Sequence, residues 1–142
     1  MERDLHIILV DDDRLLVNII AQVLALRGIK VTIGHDGEEG LRLIRELAPD
    51  LVILDIMMPK LDGYAVCRYL KNDPETRDIP VLMFSALGPA ELHKLHKDPA
   101  SLGADAYLTK PIQIGKLLEQ ISALLFPPTG TDTHEAPRAF LN

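Results

Sequence analysis

The chain has 142 residues, a length that suits one domain and leaves little room for a second. Apolar residues make up 47% of the chain, which is enough to fill a core, and charged residues make up 25%. The net charge of −6 argues against nucleic acid as a direct partner, because that partner requires a basic face. The single cysteine, Cys67, excludes an internal disulfide. No signal peptide is recognisable, and no run approaches the roughly 20 apolar residues that cross a bilayer. We therefore expect a cytoplasmic protein without membrane contact.

Five short apolar runs predict β-strands, and most of them are continuous rather than alternating. They lie at 7–10, 31–33, 51–54, 81–84 and 106–108. Continuous runs are typical of strands that are covered on both faces in a parallel sheet.

The segments between the runs have the apolar spacing of helices. Apolar residues at helical spacing within 15–24 predict the first helix, and Gly28 is expected to terminate it. Asp36 is expected to cap the second helix, with Glu39 completing a capping-box-like pair, and Asp62 to cap the third, which should run to about residue 72.

Two further helices are predicted near the C-terminal end of the pattern. The segment after Pro89 predicts a fourth helix with Leu92 and Leu95 facing inward, and the stripe 114–125 predicts a fifth. Strict alternation of strand and helix predicts an α/β fold in which helices cover both faces of a parallel sheet. We expect this domain to span 1–126 and the polar stretch 127–142 to be a tail or linker.

Polar side chains follow four of the predicted strands. The first strand is followed by three consecutive acids, Asp11 to Asp13, and the third, fourth and fifth lead into Asp55, Ser85 and Lys110. Ligands of open α/β sheets bind at the carboxyl ends of the strands. These side chains are therefore expected to converge on one rim of the sheet.

The acids at this rim require a cation. Two carboxylates about 4 Å apart repel by roughly 4 kcal/mol at an effective dielectric constant of 20. Ligands that are all oxygen favour a hard cation, Mg²⁺ before Zn²⁺, and Lys110 supplies a second positive charge. This combination suits a carboxylate that becomes a phosphoanhydride.

In order along the chain, these motifs resemble those of the receiver domains of bacterial two-component response regulators, a family that includes the chemotaxis regulators. The resemblance runs from about His6 to Phe126. It rests on ILVDDD at 8–13, LDIMMP at 54–59 with Asp62 and Gly63, FSA at 84–86 and YLTKP at 107–111.

The resemblance implies a flavodoxin-like doubly wound sheet with strand order 2-1-3-4-5 and five helices. It also implies a phosphoacceptor switch. Asp55 would take a phosphoryl group from a phosphohistidine on a sensor histidine kinase or a histidine phosphotransfer protein. The output face would then change for a downstream protein target or an output domain.

The resemblance further assigns roles to single residues. Asp11, Asp12, Asp55 and the backbone carbonyl of Met57 would hold Mg²⁺. Lys110 would pair with Asp55 and then with the phosphoryl group. The peptide bond between Lys110 and Pro111 would be cis. Ser85 would bond a phosphoryl oxygen, and Tyr107 would turn inward as Ser85 moves.

Two departures from the family pattern stand out. The connection from Ser85 to Lys110 is a few residues longer than usual, and Pro99 should end the fourth helix or break it in two. Met57 and Leu87 flank the expected phosphoryl pocket without a polar group to orient water. We therefore expect slow self-dephosphorylation.

Simpler interpretations stand beside several of these roles. Asp13 is more readily a helix cap than a metal ligand, and Tyr107 suits the core as well as a switch. His93 and His96 have a spacing that can share a metal, but with Lys94 and Lys97 they more readily form a solvated basic face.

Three other functions compete with the phosphoacceptor. An aspartyl-phosphate hydrolase needs a second acid two residues after its nucleophile, where this chain has Met57. A degenerate binding module would lack an acid, the hydroxyl or the lysine, and none is missing. A flavin-binding protein would have a Ser/Thr/Gly-rich phosphate loop after the first strand, where this chain has three acids.

The sequence leaves the oligomeric state open, and one alternative is a homodimer through the fourth and fifth helices.

Overall fold

A computed structural model of the protein describes residues 4–127, which form five strands and five α-helices in alternation. The strands are β1 (His6–Val10), β2 (Lys30–Gly34), β3 (Leu51–Asp55), β4 (Val81–Ser85) and β5 (Ala106–Thr109). The helices are α1 (Arg14–Leu26), α2 (Gly37–Leu47), α3 (Gly63–Asn72), α4 (Pro89–Lys94) and α5 (Ile114–Leu125), with a 3₁₀ helix at Pro99–Leu102. The predicted order of elements is confirmed.

The strands form one parallel sheet in the order β2-β1-β3-β4-β5, as expected. Alternate strand residues point to opposite faces, so the continuous apolar runs supply two cores. One core includes Ile8 and Leu54 and is covered by α2 and α3. The other includes Leu9 and Ile53 and is covered by α1 and α5. Burying each of these side chains contributes about 1.5–3 kcal/mol, which anchors the sheet between its helix layers.

Aspartate side chains cap the first three helices. One carboxylate oxygen of Asp13, Asp36 and Asp62 accepts a hydrogen bond from the backbone N–H three residues later, at 3.1, 2.8 and 2.9 Å. Glu39 reaches back to the N–H of His35 at 3.2 Å, one residue before the cap. The capping roles predicted for Asp13, Asp36 and Asp62 are confirmed.

The fourth helix ends earlier than the position of Pro99 predicts. It stops at Lys94, and His96 adopts a left-handed conformation with φ of 58°. The N–H of His96 donates to the carbonyl of His93 at 3.0 Å, and that of Lys97 donates to the carbonyl of Leu92 at 2.8 Å. These two bonds form a Schellman motif, which terminates the helix from its own backbone.

The longer connection is thereby divided into two short helices. Pro99 was expected to end the fourth helix or to break it in two. The region does contain two helices, but the interruption lies before Pro99, which begins the 3₁₀ helix. Leu92 is buried as predicted, whereas Leu95 is 48% exposed. The inward placement predicted for Leu95 was wrong, because this residue lies in the terminating turn rather than on the continuing helix.

Within residues 4–127, none of the helices combines the length and the apolar character needed to cross a membrane. The tail or linker predicted for 127–142 lies, apart from residue 127, outside the described residues. The boundary at 126 therefore stays a prediction.

Gly63 permits a close contact between the start of α3 and the end of β3. Its N–H donates to the carbonyl of Ile56 at 2.8 Å, and a Cβ atom at this position would lie 1.9 Å from the carbonyl oxygen of Asp55. No side chain fits there without movement of the backbone. The glycine therefore sets the position of the loop that follows Asp55.

We expect Gly63→Ala to lower the free energy of unfolding by about 2–4 kcal/mol, since it forces the end of β3 away from α3. The matched control is Gly115→Ala in α5, where an added Cβ meets nothing within 4 Å. That change should be neutral or stabilising by up to about 1 kcal/mol. Urea unfolding of both variants measures the difference, and equal effects would contradict the steric argument.

Candidate functional site

Three carboxylates meet at the carboxyl end of the sheet. Asp11 follows β1 and Asp55 ends β3. Because Val10 pairs with Leu54, the two aspartates lie side by side at the ends of neighbouring strands. Ligand oxygens of Asp11, Asp12 and Asp55 all lie within 4.8 Å of one another. Asp11 and Asp55 are buried, whereas Asp12 is exposed. The cluster therefore opens to solvent on one side.

Lys110 lies against two of these acids. Its Nζ is 3.0 Å from Oδ2 of Asp11 and 3.6 Å from Oδ2 of Asp55. The same ammonium group stands 4.9 Å from the centroid of the Phe84 ring, within the range of a cation–π contact. The bond from Lys110 to Pro111 is cis, as the resemblance implied. The remaining oxygen of Asp11 accepts from the backbone N–H of Asp13 at 3.0 Å.

The burial and crowding of the acids change their protonation. Burial, with the negative charge of Asp11, raises the pKa of Asp55 to about 7, against the opposing effect of Lys110. Desolvation and the Asp11 carboxyl also raise the pKa of Asp12. Burial alone would lower the pKa of Lys110, but its bond to Asp11 and the charge of Asp55 raise it. The single positive charge of Lys110 is therefore not enough to neutralise the three carboxylates.

The donor set fits a hard divalent cation. It consists of three carboxylates with no sulfur or imidazole, and one of them is open to water, as Mg²⁺ prefers. Within residues 4–127, no other group of three or more acidic, histidine or cysteine side chains comes this close together. The predicted ligands Asp11, Asp12 and Asp55 are thus adjacent. The metal-ligand role of the Met57 carbonyl stays a prediction.

Ser85 and Tyr107 both bind the backbone of Leu87. Asp55 pairs in register with Phe84, so Ser85 lies one residue further along the neighbouring strand. Its buried Oγ accepts from the N–H of Leu87 at 3.1 Å. The hydroxyl of Tyr107, a partly buried residue, donates to the carbonyl of Leu87. A single residue therefore links the two predicted switch side chains.

His93 and His96 are not part of the cluster of Asp11, Asp12 and Asp55. His93 and His96 line a shallow pocket of about 290 Å³ together with Tyr64, Asp98 and Ser101. Both histidines are exposed, as the solvated-face interpretation expected. Lys97 does not fit that interpretation, because its ammonium group forms an ion pair with Asp62.

Sequence reasoning missed three contacts of this region: the Phe84 ring beside Lys110, the bonds to Leu87, and the Lys97–Asp62 pair. The first follows from the pairing of β4 with β5, which places the residue before Ser85 beside the end of the last strand. The other two involve main-chain atoms or loop geometry and leave no pattern in the sequence.

The family model described as the response regulator receiver domain matches residues 7–122. The chain belongs to this family. Receiver domains of two-component response regulators are signalling modules, and this one has the flavodoxin-like fold typical of chemotaxis regulators, as predicted.

Individual relatives agree with this assignment. The chain is 41% identical over 120 residues to the "DNA-binding dual master transcriptional regulator RpaA" of Synechocystis, covering 84% of this chain and 48% of that protein. It resembles the receiver domain of Francisella response regulator 1452, with 32% identity and a TM-score of 0.75, covering 86% of this chain and 97% of that one.

A receiver domain of a signal transduction histidine kinase from Syntrophus aciditrophicus is also similar. It has 31% identity and a TM-score of 0.76, with 91% of this chain and 97% of that one covered. The chain spans about half the length of the curated relatives that it matches. These two receiver structures, in contrast, are each covered to 97% of their length.

The raised pKa of Asp55 predicts how the stability of this receiver domain depends on pH. Between about pH 4 and pH 7 the folded state retains a proton that the unfolded state releases, so metal-free stability should fall as pH rises through this window. Asp55→Asn removes the cost of the buried charge and should raise the free energy of unfolding at pH 8 by about 1–4 kcal/mol.

Urea unfolding at pH 5 and pH 8 in the presence of EDTA tests this expectation. The control is Glu119→Gln, which neutralises an exposed carboxylate on α5. Adding Mg²⁺ at 100 times its dissociation constant should restore about 2.7 kcal/mol to the wild type at pH 8. A wild type that is as stable at pH 8 as at pH 5 would contradict the electrostatic account.

Proposed function

We propose that Asp55 accepts a phosphoryl group from a phosphohistidine donor and that Ser85 and Lys110 stabilise the product. The observation that supports this most directly is the position of Asp55. It is a buried carboxylate, 3% exposed, and it lies beside both Asp11 and the Lys110 ammonium group at the carboxyl end of the sheet. Such a carboxylate is held in place and has little water around it.

The transfer exchanges one bond to phosphorus for another. An oxygen of the Asp55 carboxylate forms the new P–O bond as the P–N bond of the phosphohistidine breaks, and the departing imidazole nitrogen keeps the electron pair. Lys110, already 3.6 Å from Asp55, is placed to bind an oxygen of the transferred group. Because most of the catalysis of phosphoryl transfer is positioning and charge stabilisation, these contacts are the main requirement.

Asp11, Asp12 and Asp55, with the carbonyl of Met57, would hold Mg²⁺. The ion would supply the positive charge that neutralises the acids and the phosphoryl oxygens. Lys110 then exchanges part of its contact with Asp11 for the phosphoryl group. The negative charge of the free cluster and its opening at Asp12 support this assignment.

Ser85 and Tyr107 form the switch in this proposal. The Ser85 hydroxyl would donate its hydrogen to a phosphoryl oxygen, and a movement of Oγ toward that oxygen would lengthen the bond that it accepts from the N–H of Leu87. Leu87 also binds Tyr107 and directly precedes the residue that caps α4. Two or three charge-assisted hydrogen bonds of about 1.5–3 kcal/mol each reach the roughly 5.5 kcal/mol that reverses a 1:99 equilibrium.

The proposed partners follow from this chemistry. The donor is a sensor histidine kinase or a histidine phosphotransfer protein in the cytoplasm, and the receiver of the signal is a downstream protein or an output domain. Since the curated relatives are about twice as long, an output domain in the same polypeptide accords with them. The domain itself acts as a phosphoacceptor that promotes its own transfer and hydrolysis, not as an enzyme with separate substrates. We expect no direct contact with nucleic acid or membrane.

Incubation of the full chain with acetyl phosphate and Mg²⁺, followed by intact-mass measurement, tests the proposal. The wild type should gain one phosphoryl group, and Asp55→Ala should gain none. Glu119→Gln serves as the control for general effects of removing a carboxylate. Modification of Asp55→Ala to the same extent, or a wild type that stays unmodified with and without Mg²⁺, would refute the assignment.

The lifetime of the phosphoryl group provides a second test. Met57 is 41% exposed beside the site and offers no side-chain group to orient a water molecule. Met57→Asn should therefore accelerate dephosphorylation by about tenfold, which corresponds to about 1.4 kcal/mol, the contribution of one hydrogen bond to the attacking water. The loss of the added mass after removal of acetyl phosphate measures the rate. Met57→Leu is the control, and an unchanged rate in Met57→Asn contradicts the prediction.

A further inference from the structure

Two ion pairs join the long connection between Ser85 and Lys110 to α3 and the residue before it: Asp105 pairs with Lys71, and Lys97 pairs with Asp62. The ammonium group of Lys97 contacts Oδ2 of Asp62, and the side chains of the two residues are only 28% and 20% exposed. Asp62 uses its other oxygen to cap α3. One aspartate therefore holds the start of α3 and binds the segment that follows α4.

The backbone of Lys97 takes part in the same structure. Its N–H donates to the carbonyl of Leu92 and closes the Schellman motif at the end of α4. The left-handed His96 turns the chain so that Lys97 points back toward α3. The end of α4 and the ion pair thus depend on one short turn.

Contacts continue from Asp62 to the acid cluster. Gly63, the next residue, donates its N–H to the carbonyl of Ile56 and lies in tight contact with the carbonyl of Asp55. The path from Lys97 to Asp55 therefore runs through Asp62 and Gly63 without a gap. At its other end, α4 is connected to Ser85 through Leu87.

We propose that the Lys97–Asp62 ion pair is a latch that fixes the C-terminal end of α4 to the loop after Asp55, so that Lys97 positions the metal-binding acids from a distance. The inference rests on the proposed function in one respect, that the acids bind Mg²⁺. Lys97 is a positioning residue in this account, because it acts through Asp62 and Gly63 rather than on a ligand. The N-terminal end of α4 is not held by this ion pair and can move together with Ser85.

Mg²⁺ affinity separates the latch from a simple effect of charge. If only charge mattered, Lys97→Met would tighten Mg²⁺ binding, Asp62→Asn would weaken it, and the double variant would resemble the wild type. If the pair is a latch, each single variant loosens the loop and weakens binding by about two- to tenfold. The double variant should then be no weaker than Lys97→Met alone. Asn at position 62 still caps α3, so the helix start is retained.

The experiment is a Mg²⁺ titration of the full chain followed by amide NMR, with Lys94→Met as the matched control. Lys94 is an exposed lysine at the end of α4, and its replacement removes the same charge from the same segment. Tighter binding in Lys97→Met, or equal behaviour of Lys97→Met and Lys94→Met, would overturn the latch.

Amide hydrogen exchange in the absence of Mg²⁺ gives a reading that does not depend on metal binding. The amides at positions 95 to 97 bond to carbonyls of α4 and should exchange about tenfold faster in Lys97→Met and in Asp62→Asn, but not in Lys94→Met. Unchanged exchange in both latch variants refutes the proposal. A wild type that does not bind Mg²⁺, with exchange altered as expected, refutes the metal site and leaves the latch standing.

Discussion

The repulsion among Asp11, Asp12 and Asp55 is the constraint on which the rest of the site depends. Folding brings their oxygens within 4.8 Å of one another and buries two of the three residues, which is costly for like charges away from water. Lys110 compensates part of this cost, and the raised pKa of Asp55 reflects the rest. The Mg²⁺ ion of the proposed function would supply the positive charge that these residues lack.

The sheet imposes this crowding through its register. Strand order 2-1-3-4-5 places β1 and β3 side by side, so the residues at their ends meet whatever the helices do. The convergence of the polar residues on one rim was predictable from the residues themselves, because apolar runs locate the strands and polar residues follow them. The strand order was implied by the resemblance to receiver domains. The caps at Asp13, Asp36 and Asp62 were equally predictable, since each depends on residues only three positions apart.

The segment between Ser85 and Lys110 was predicted less well. Helical periodicity predicted that Leu95 faces the core, but the turn that ends α4 leaves this side chain exposed. The turn depends on the left-handed conformation of His96, which no apolar pattern in the sequence indicates. Lys97 looked like part of a solvated surface because its partner is 35 residues away in the sequence. Contacts of this kind depend on how elements pack, which local patterns do not encode.

The way Leu87 joins Ser85 to Tyr107 affects how this position tolerates change. Both bonds use main-chain atoms, the N–H for the serine and the carbonyl for the tyrosine. The connection is therefore indifferent to which side chain stands there, so long as an amide hydrogen remains. Proline alone among the common residues lacks that hydrogen. A related sequence can thus vary the leucine, and with it the surface beside α4, while serine and tyrosine stay connected.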